Sequence, residues 1–101
     1  MNNNKRPISV TYSSDRLRTL VEEFITMQKH EFTFSGLCSY VLYWAKEEGK
    51  TANTGLYESN QLDDADCERI SVFLRKIINE GRITCEVEPF ADDTQFIKIK
   101  E

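Results

Sequence analysis

One stretch past the middle of the chain carries apolar residues at helical spacing. The apolar positions are Ala65, Ile70, Phe73, Leu74, Ile77 and Ile78. From Ile70 onward the spacing is i, i+3, i+4, i+7 and i+8, which places these side chains on one helix face. Asp63 or Asp64 can begin the helix by accepting a backbone N–H, and Gly81 can end it in a left-handed conformation. The pattern predicts an amphipathic helix over residues 63–80.

Two segments with alternating apolar and polar residues follow this helix. Ile83–Val87 and Phe96–Ile99 repeat with period two, which is typical of half-buried strands. The side chains expected to face inward are Ile83, Cys85, Val87, Ile97 and Ile99. Residues 89–93 are rich in turn-forming types, so the pattern predicts a C-terminal β-hairpin. The charge pairs expected across it join Glu86 and Glu88 to Lys98 and Lys100.

The N-terminal part predicts a short strand followed by a helix. Residues 8–12 alternate and are β-prone, and Ser13-Ser14-Asp15 is a helix-capping cluster. The helix is expected to run to about His30, which should be solvated at its end. Its apolar face comprises Leu17, Leu20, Val21, Phe24 and Ile25.

A second, more apolar helix is predicted after a short break. Residues 32–34 favour an extended segment, and Thr33 or Ser35 can cap the helix over 36–50. Its apolar residues are Leu37, Cys38, Tyr40, Val41, Leu42, Tyr43, Trp44 and Ala45. A helix that is apolar on most sides is buried on most sides, within the monomer or against a partner subunit. Residues 50–61 are expected to be a connecting loop.

These elements predict an α+β fold of three helices and a C-terminal hairpin, with a short extra strand at 8–12 or 32–34. A chain of 101 residues is expected to form one domain over residues 8–101, preceded by a flexible arm at 1–7.

Composition points to a soluble protein without catalytic machinery. No apolar run approaches the roughly 20 residues of a membrane helix, and the N-terminus lacks a signal-peptide pattern, so a cytoplasmic location is expected. The three cysteines are expected to be reduced thiols rather than zinc ligands. With one histidine and no phosphate-binding motif, neither an enzyme nor a cofactor site is expected.

The order of elements resembles the winged helix-turn-helix superfamily over about residues 13–100. The closest local likeness is the segment 62–83, which ends in Ile77-Ile78-Asn79-Glu80-Gly81-Arg82-Ile83, an apolar pair, an acid-Gly and a β-branched residue. The resemblance implies a transcriptional regulator that contacts double-stranded DNA through the 63–80 helix and the hairpin. The implied DNA-contacting residues are Lys5, Arg6, Arg69, Ser71, Arg75, Lys76 and Arg82.

Acidic residues favour an alternative function on the same scaffold. The net charge is −4, the first half of the third helix carries four acids, and Asp92 and Asp93 occupy the hairpin turn. The four acids are Asp63, Asp64, Asp66 and Glu68. Because such groups repel phosphates, the alternative is an adaptor that presents acidic surfaces to a basic protein and binds no nucleic acid. A homodimer is compatible with both functions.

The N-terminal half also resembles the ribbon-helix-helix family. Residues 5–24 combine a basic arm, an alternating strand and a capped helix. This second resemblance implies a dimer whose paired strands enter the major groove, with Ser9 and Thr11 as reading residues. It leaves the C-terminal helix and hairpin without a role, so it ranks below the winged helix.

Overall fold

The computed structural model describes residues 6–52 and 58–99, and within these ranges the chain forms six strands and three helices. In chain order they are β1 (Arg6–Val10), α1 (Ser14–Met27), β2 (Glu31–Thr33), α2 (Phe34–Glu47), β3 (Thr51–Ala52), β4 (Glu58–Leu62), α3 (Asp64–Asn79), β5 (Ile83–Thr84) and β6 (Gln95–Lys98). The three helices and the two short sheets confirm the predicted α+β class.

The strands form two separate three-stranded sheets. In the first, β1 lies between β3, to which it is antiparallel, and β4, to which it is parallel. In the second, β6 lies between β2 and β5 and is antiparallel to both. Both extra strands that the sequence suggested are therefore present, and β1 begins at Arg6 rather than at residue 8. Residues 1–5 of the predicted arm lie outside the described residues.

The prediction of a plain loop over residues 50–61 is wrong. β3 and β4 lie at its two ends, and residues 53–57 lie outside the described residues. Each strand is too short to show a clear alternating pattern in the sequence. Each is held in place by pairing with the central strand β1. The pairing of Ser9 with Ala52 and of Ile8 with Leu62 ties this segment to the core.

Each helix begins at a capping side chain that the sequence indicated. Ser13, Thr33 and Asp63 accept backbone N–H groups at the starts of α1, α2 and α3. α1 ends at Met27, earlier than the predicted His30, because Gln28 is already extended. Gly81, with φ of 77°, follows the end of α3 as predicted.

The buried face of α3 differs from the predicted one at its N-terminal end. Ile70, Leu74 and Ile77 are buried as expected, but Ala65 is exposed. Asp66 and Ser71 are buried instead. Asp66 faces inward because it accepts a hydrogen bond from the Val10 amide of β1, so tertiary hydrogen bonding rather than hydrophobicity places it there.

The C-terminal hairpin is present, but the predicted phase of its second strand is wrong. Phe96 is fully buried, whereas Ile97 and Ile99 are 47% and 44% exposed. Phe96 stacks on Phe32 with ring centroids 5.0 Å apart and meets Phe90 edge-on, also at 5.0 Å. An aromatic side chain buries more area than isoleucine does, so this cluster sets which face of β6 points inward.

The predicted charge pairs across the hairpin are also wrong within the described residues. β5 ends at Thr84, which lies opposite Ile97, so Glu86 and Glu88 are beyond the ladder. Lys98 instead donates to the Gln28 carbonyl at 2.8 Å. Lys100 lies outside the described residues.

One continuous core joins all three helices to both sheets. Its fully buried side chains include Leu17, Leu20, Leu37, Val41, Ile70, Leu74, Ile83 and Phe96. Within the single chain, α2 leaves Tyr43 exposed and Tyr40 and Trp44 only partly covered. In the described ranges, every helix is too short or too polar to cross a bilayer.

Candidate functional site

The N-terminal end of α3 is fastened to β1 by two of its acids. Asp63 accepts hydrogen bonds from the Ser9 hydroxyl and from the Asp66 amide. Asp66 accepts from the Val10 amide at 2.9 Å. Burial raises the pKa of Asp66, against the opposing hydrogen bonds from Val10 and Arg69. Asp63 and Asp66, which the sequence assigned to an acidic binding surface, therefore hold α3 against β1.

Asp63 shows the opposite balance. Burial acts to raise its pKa, but the hydrogen bonds from the Ser9 hydroxyl and the Asp66 amide outweigh burial, so the pKa lies below its ordinary value. Asp63 is thus held as a carboxylate where it caps the helix. Asp64 and Glu68 remain as the exposed acids of this end.

Arg69 and Ser71, two of the predicted DNA-contacting residues, are engaged inside the protein. Arg69 forms an ion pair with Asp66 at 2.9 Å and donates to the Tyr12 carbonyl at 2.7 Å. Ser71 is buried and donates to the Cys67 carbonyl at 2.9 Å. Both side chains therefore already have hydrogen-bond partners within the protein.

Arg75 connects α3 to the loop of the hairpin. Its guanidinium pairs with Glu88 at 2.9 Å and with Glu68 at 3.3 Å, and lies 5.4 Å from the centroid of the Phe90 ring. Hydrogen bonds to Glu88 and Glu68 raise the pKa of Arg75. A cation with two carboxylate partners and an aromatic neighbour has little attraction left for a phosphate.

Arg82 is paired with acids in the same way. It binds Glu22 of α1 through two nitrogens and Glu80 at 3.2 Å. Lys76 is exposed and lies at the rim of a small pocket that Glu22 and Glu80 also line. Of the other predicted contacts, Lys5 lies outside the described residues, and Arg6 begins β1.

The Glu22–Arg82 pair gives a prediction about pH. The hydrogen bond from Arg82 lowers the pKa of Glu22, although burial opposes it. A carboxyl whose pKa is lower in the folded chain than in the unfolded chain stabilises the fold fully at pH values above the unfolded pKa. This stabilisation is lost as the pH falls through the folded pKa. Glu22→Gln should cost about 0.5–1 kcal/mol of unfolding free energy near neutral pH, since both side chains are partly exposed.

Urea unfolding at about pH 7 and about pH 3 measures this, with exposed Glu23→Gln as the matched control. The cost of Glu22→Gln should shrink toward zero at the acidic pH, and Glu23→Gln should cost little at either. An equal cost at both pH values would mean that the ion pair contributes nothing.

An apolar groove lies along the hairpin, on a face that the sequence did not predict. It has a volume of about 500 Å³. Its lining residues are Thr84, Cys85, Glu86, Val87, Pro89, Ala91, Asp93, Thr94, Gln95 and Ile97. Val87 is 59% exposed, and the exposed acids Glu86 and Asp93 belong to the same lining. We call this surface the hairpin groove.

The sequence of β6 indicated that one apolar side chain would remain exposed, but periodicity alone could not show which one. In Gln95–Lys98, apolar residues occupy both faces of the strand, because Phe96 is followed directly by Ile97. Only one of the two can be buried. The choice falls to Phe96 because Phe32 and Phe90 contact it, and Ile97 is left at the surface.

A second surface pocket runs along α1. It has a volume of about 590 Å³ and includes Arg18, Glu22, Glu23, Met27 and Tyr40. Its charges are of both signs, and Glu22 is occupied by Arg82. This pocket consequently favours neither a cationic nor an anionic ligand.

The described part of the chain offers few side chains that could bind a metal or act in catalysis. Within residues 6–52 and 58–99, no three His, Cys, Asp or Glu side chains converge as a metal site requires. His30 is exposed at the turn before β2.

No protein-family model matches the chain, and comparisons with curated proteins and with solved structures give no significant match.

Proposed function

We propose that the protein is a non-catalytic interaction module that binds a basic segment of another protein through the hairpin groove. The observation that carries the proposal is the exposed apolar pair Val87 and Ile97 beside the carboxylates Glu86 and Asp93. Exposed apolar side chains that cluster within a groove are typical of binding surfaces. The neighbouring acids select the charge of the partner.

The chemistry of the groove defines the partner segment. Val87 and Ile97 favour one or two aliphatic side chains, and Glu86 and Asp93 favour flanking Lys or Arg residues. The chain's net charge of −4 attracts the same partner at longer range. A groove of this size contacts few residues, so the expected complex is transient, with a Kd of about 10–100 μM.

The scaffold that we propose for this module is a winged helix. The order α1, β2, α2, α3, β5, β6 supports it, as does the sheet order β2-β6-β5 with the hairpin at the C-terminus. The β1, β3 and β4 strands are additions to that pattern. We also propose a cytoplasmic location, which suits three free thiols.

DNA binding is the second candidate, and the order of elements is the observation that favours it. A winged-helix regulator would present the exposed face of α3 to the major groove. Within the described residues, Lys76 is an exposed basic residue of the predicted contact set. We rank this candidate second because Arg69, Arg75 and Arg82 are each paired with carboxylates.

Fluorescence anisotropy with three labelled peptides tests the interaction module. The first combines Leu and Lys, the second replaces Lys by Glu, and the third replaces Leu by Ser. Only the first should bind with a Kd in the stated range. Ile97→Ser and Val87→Ser should each weaken binding roughly five-fold, which corresponds to about 1 kcal/mol of lost apolar contact.

Val72→Ser is the matched control, since Val72 is exposed on α3, to a similar extent as Val87. It should leave peptide affinity unchanged. Equal binding of the Lys and Glu peptides would refute the role of the acids. Self-association that Ile97→Ser abolishes, measured by sedimentation equilibrium, would instead identify a second copy of the chain as the occupant.

Titration with mixed-sequence duplex DNA at low salt separates the two candidates. The interaction module should show no binding at micromolar protein. Micromolar affinity that falls steeply with salt and with Lys76→Gln, but not with Ile97→Ser, would establish DNA binding instead.

A further inference from the structure

Two of the three cysteines, one on α2 and one on α3, line the same pocket. These are Cys38 and Cys67, and each thiol shifts the pKa of the other. The Cys67 thiol lies 3.8 Å from the Leu62 carbonyl, to which it donates. Both cysteines are free and half-buried. Cys85, in the hairpin, donates to the Val87 carbonyl at 3.2 Å instead.

Both cysteines line a surface pocket. Its volume is about 340 Å³. Its lining residues are Ser35, Cys38, Ser39, Gln61, Leu62, Asp64, Cys67 and Asp92. The pocket therefore offers a small molecule two adjacent thiols beside two carboxylates.

We propose that Cys38 and Cys67 form a reversible redox site, in which a small cationic or neutral disulfide converts the two thiols into an intramolecular disulfide between α2 and α3. The site goes beyond the interaction module, since neither cysteine lines the hairpin groove. It rests on the pocket that both cysteines line and on the fact that both are free thiols.

The reaction takes place in two exchange steps. The Cys67 thiolate attacks the small disulfide, whose S–S bond breaks, and the first small thiolate leaves. The Cys38 sulfur then loses its proton to solvent and attacks the Cys67 sulfur of the mixed disulfide, which releases the second small thiolate. Both leaving groups take up protons. Two protein thiols are oxidised, and the small disulfide is reduced to two thiols.

The environment assigns the first attack to Cys67. The hydrogen bond from Cys38 lowers the pKa of Cys67, although burial opposes it, whereas the same hydrogen bond and burial raise the pKa of Cys38. Cys67 also lies in the first turns of α3, where the helix dipole favours a thiolate. Cys38 therefore acts as the resolving thiol.

The two sulfurs must approach each other to form a bond of about 2 Å. The disulfide would join two cysteines that are 29 residues apart in sequence and would cross-link α2 to α3. By constraining the unfolded chain, it should raise the melting temperature by roughly 10 °C.

Oxidation of the reduced full-length chain tests the site. Hydroxyethyl disulfide is the probe, and thiol titration, intact mass and peptide mapping are the readouts. The three free thiols should fall to one, with the loss of two hydrogen atoms from the mass, no retained adduct and a Cys38–Cys67 peptide. Dithiothreitol should restore all three thiols. Stable adducts without an internal disulfide, or a disulfide that includes Cys85, would overturn the proposal.

Matched serine variants separate the roles of the cysteines. Cys85→Ser should react as the wild type does, and Cys38→Ser should stop at a mixed disulfide on Cys67. Cys38→Ser keeps a hydroxyl donor that Cys38→Ala lacks, so Cys67 should react several-fold faster in the serine variant. Equal rates in the two variants would remove the activating hydrogen bond from the proposal.

The carboxylates of the pocket provide a test by charge. Relative to their rates with the unfolded chain, cationic cystamine should react faster than hydroxyethyl disulfide, and anionic oxidised glutathione should react more slowly. Asp92→Asn should reduce the difference in reaction rate between the cationic and the anionic disulfide. A rate order that ignores charge would exclude the pocket as the route of entry.

Discussion

Replacing Phe96 by alanine is expected to lower the free energy of unfolding by about 3–5 kcal/mol. Phe96 is fully buried at the centre of the second sheet, where its ring contacts those of Phe32 and Phe90. Alanine removes the apolar area and leaves a cavity that the surrounding rings cannot fill without moving. Because domains of this size have a total stability of about 5–15 kcal/mol, the loss is a large fraction of it.

Chemical denaturation followed by the fluorescence of Trp44 measures the change. The neighbouring Ile97→Ala is the control, and it should cost less than about 1 kcal/mol because the side chain is half exposed. Phe96→Leu keeps most of the apolar volume and provides a milder variant if the alanine protein does not fold. A larger cost at Ile97 than at Phe96 would show that β6 has the opposite phase.

Replacing Asp66 by alanine is expected to cost about 2–3 kcal/mol. The Asp66 carboxylate is the acceptor for the buried Val10 N–H and the ion-pair partner of Arg69, each at 2.9 Å. Its removal leaves the Val10 amide without an acceptor and a partly buried guanidinium without its anion. We place the cost below that of a fully buried pair because Arg69 is one-third exposed and can be rehydrated.

Two variants at the start of α3 make this test specific. Asp64→Ala removes an exposed acid from the same helical turn and should cost only about 0.5 kcal/mol, through the helix dipole. Asp66→Asn retains an oxygen that can accept from Val10, and should fall between the two alanine variants. Equal costs for Asp64→Ala and Asp66→Ala would mean that Asp66 does not fasten α3 to β1.

Part of the candidate surface was predictable from the sequence. The acids at the hairpin turn and at the start of α3 suggested a protein partner, and Asp93 does line the hairpin groove. The acids at the start of α3 divide into two groups: Asp63 and Asp66 hold β1, and Asp64 and Glu68 face outward. Sequence position alone does not separate the groups, because the separation depends on where β1 lies.

The predicted basic contacts depended on the tertiary structure even more strongly. Arg82 pairs with Glu22, which is 60 residues away, and Arg75 pairs with Glu88 across the hairpin loop. Pairs at i and i+4 can be predicted from a helix, but these two join different elements. Three of the arginines that the sequence assigned to DNA contacts, Arg69, Arg75 and Arg82, have carboxylate partners in the folded chain.

The sequence by itself determined the three helices, a short set of capping candidates that includes Ser13, Thr33 and Asp63, and the position of Gly81 just beyond α3. These features depend on helical periodicity and on hydrogen bonds within a few residues, so neighbouring side chains suffice to specify them. It also determined that a hairpin follows α3.

Only the tertiary structure decided the phase of β6, the strands on both sides of β1 and the partners of the arginines. A short strand with apolar residues on both faces has no preferred inward side until another element covers one of them. Phe32 and Phe90 cover Phe96. The surface that remains, with Ile97 beside acids, exists because packing between distant residues excluded the isoleucine from the core.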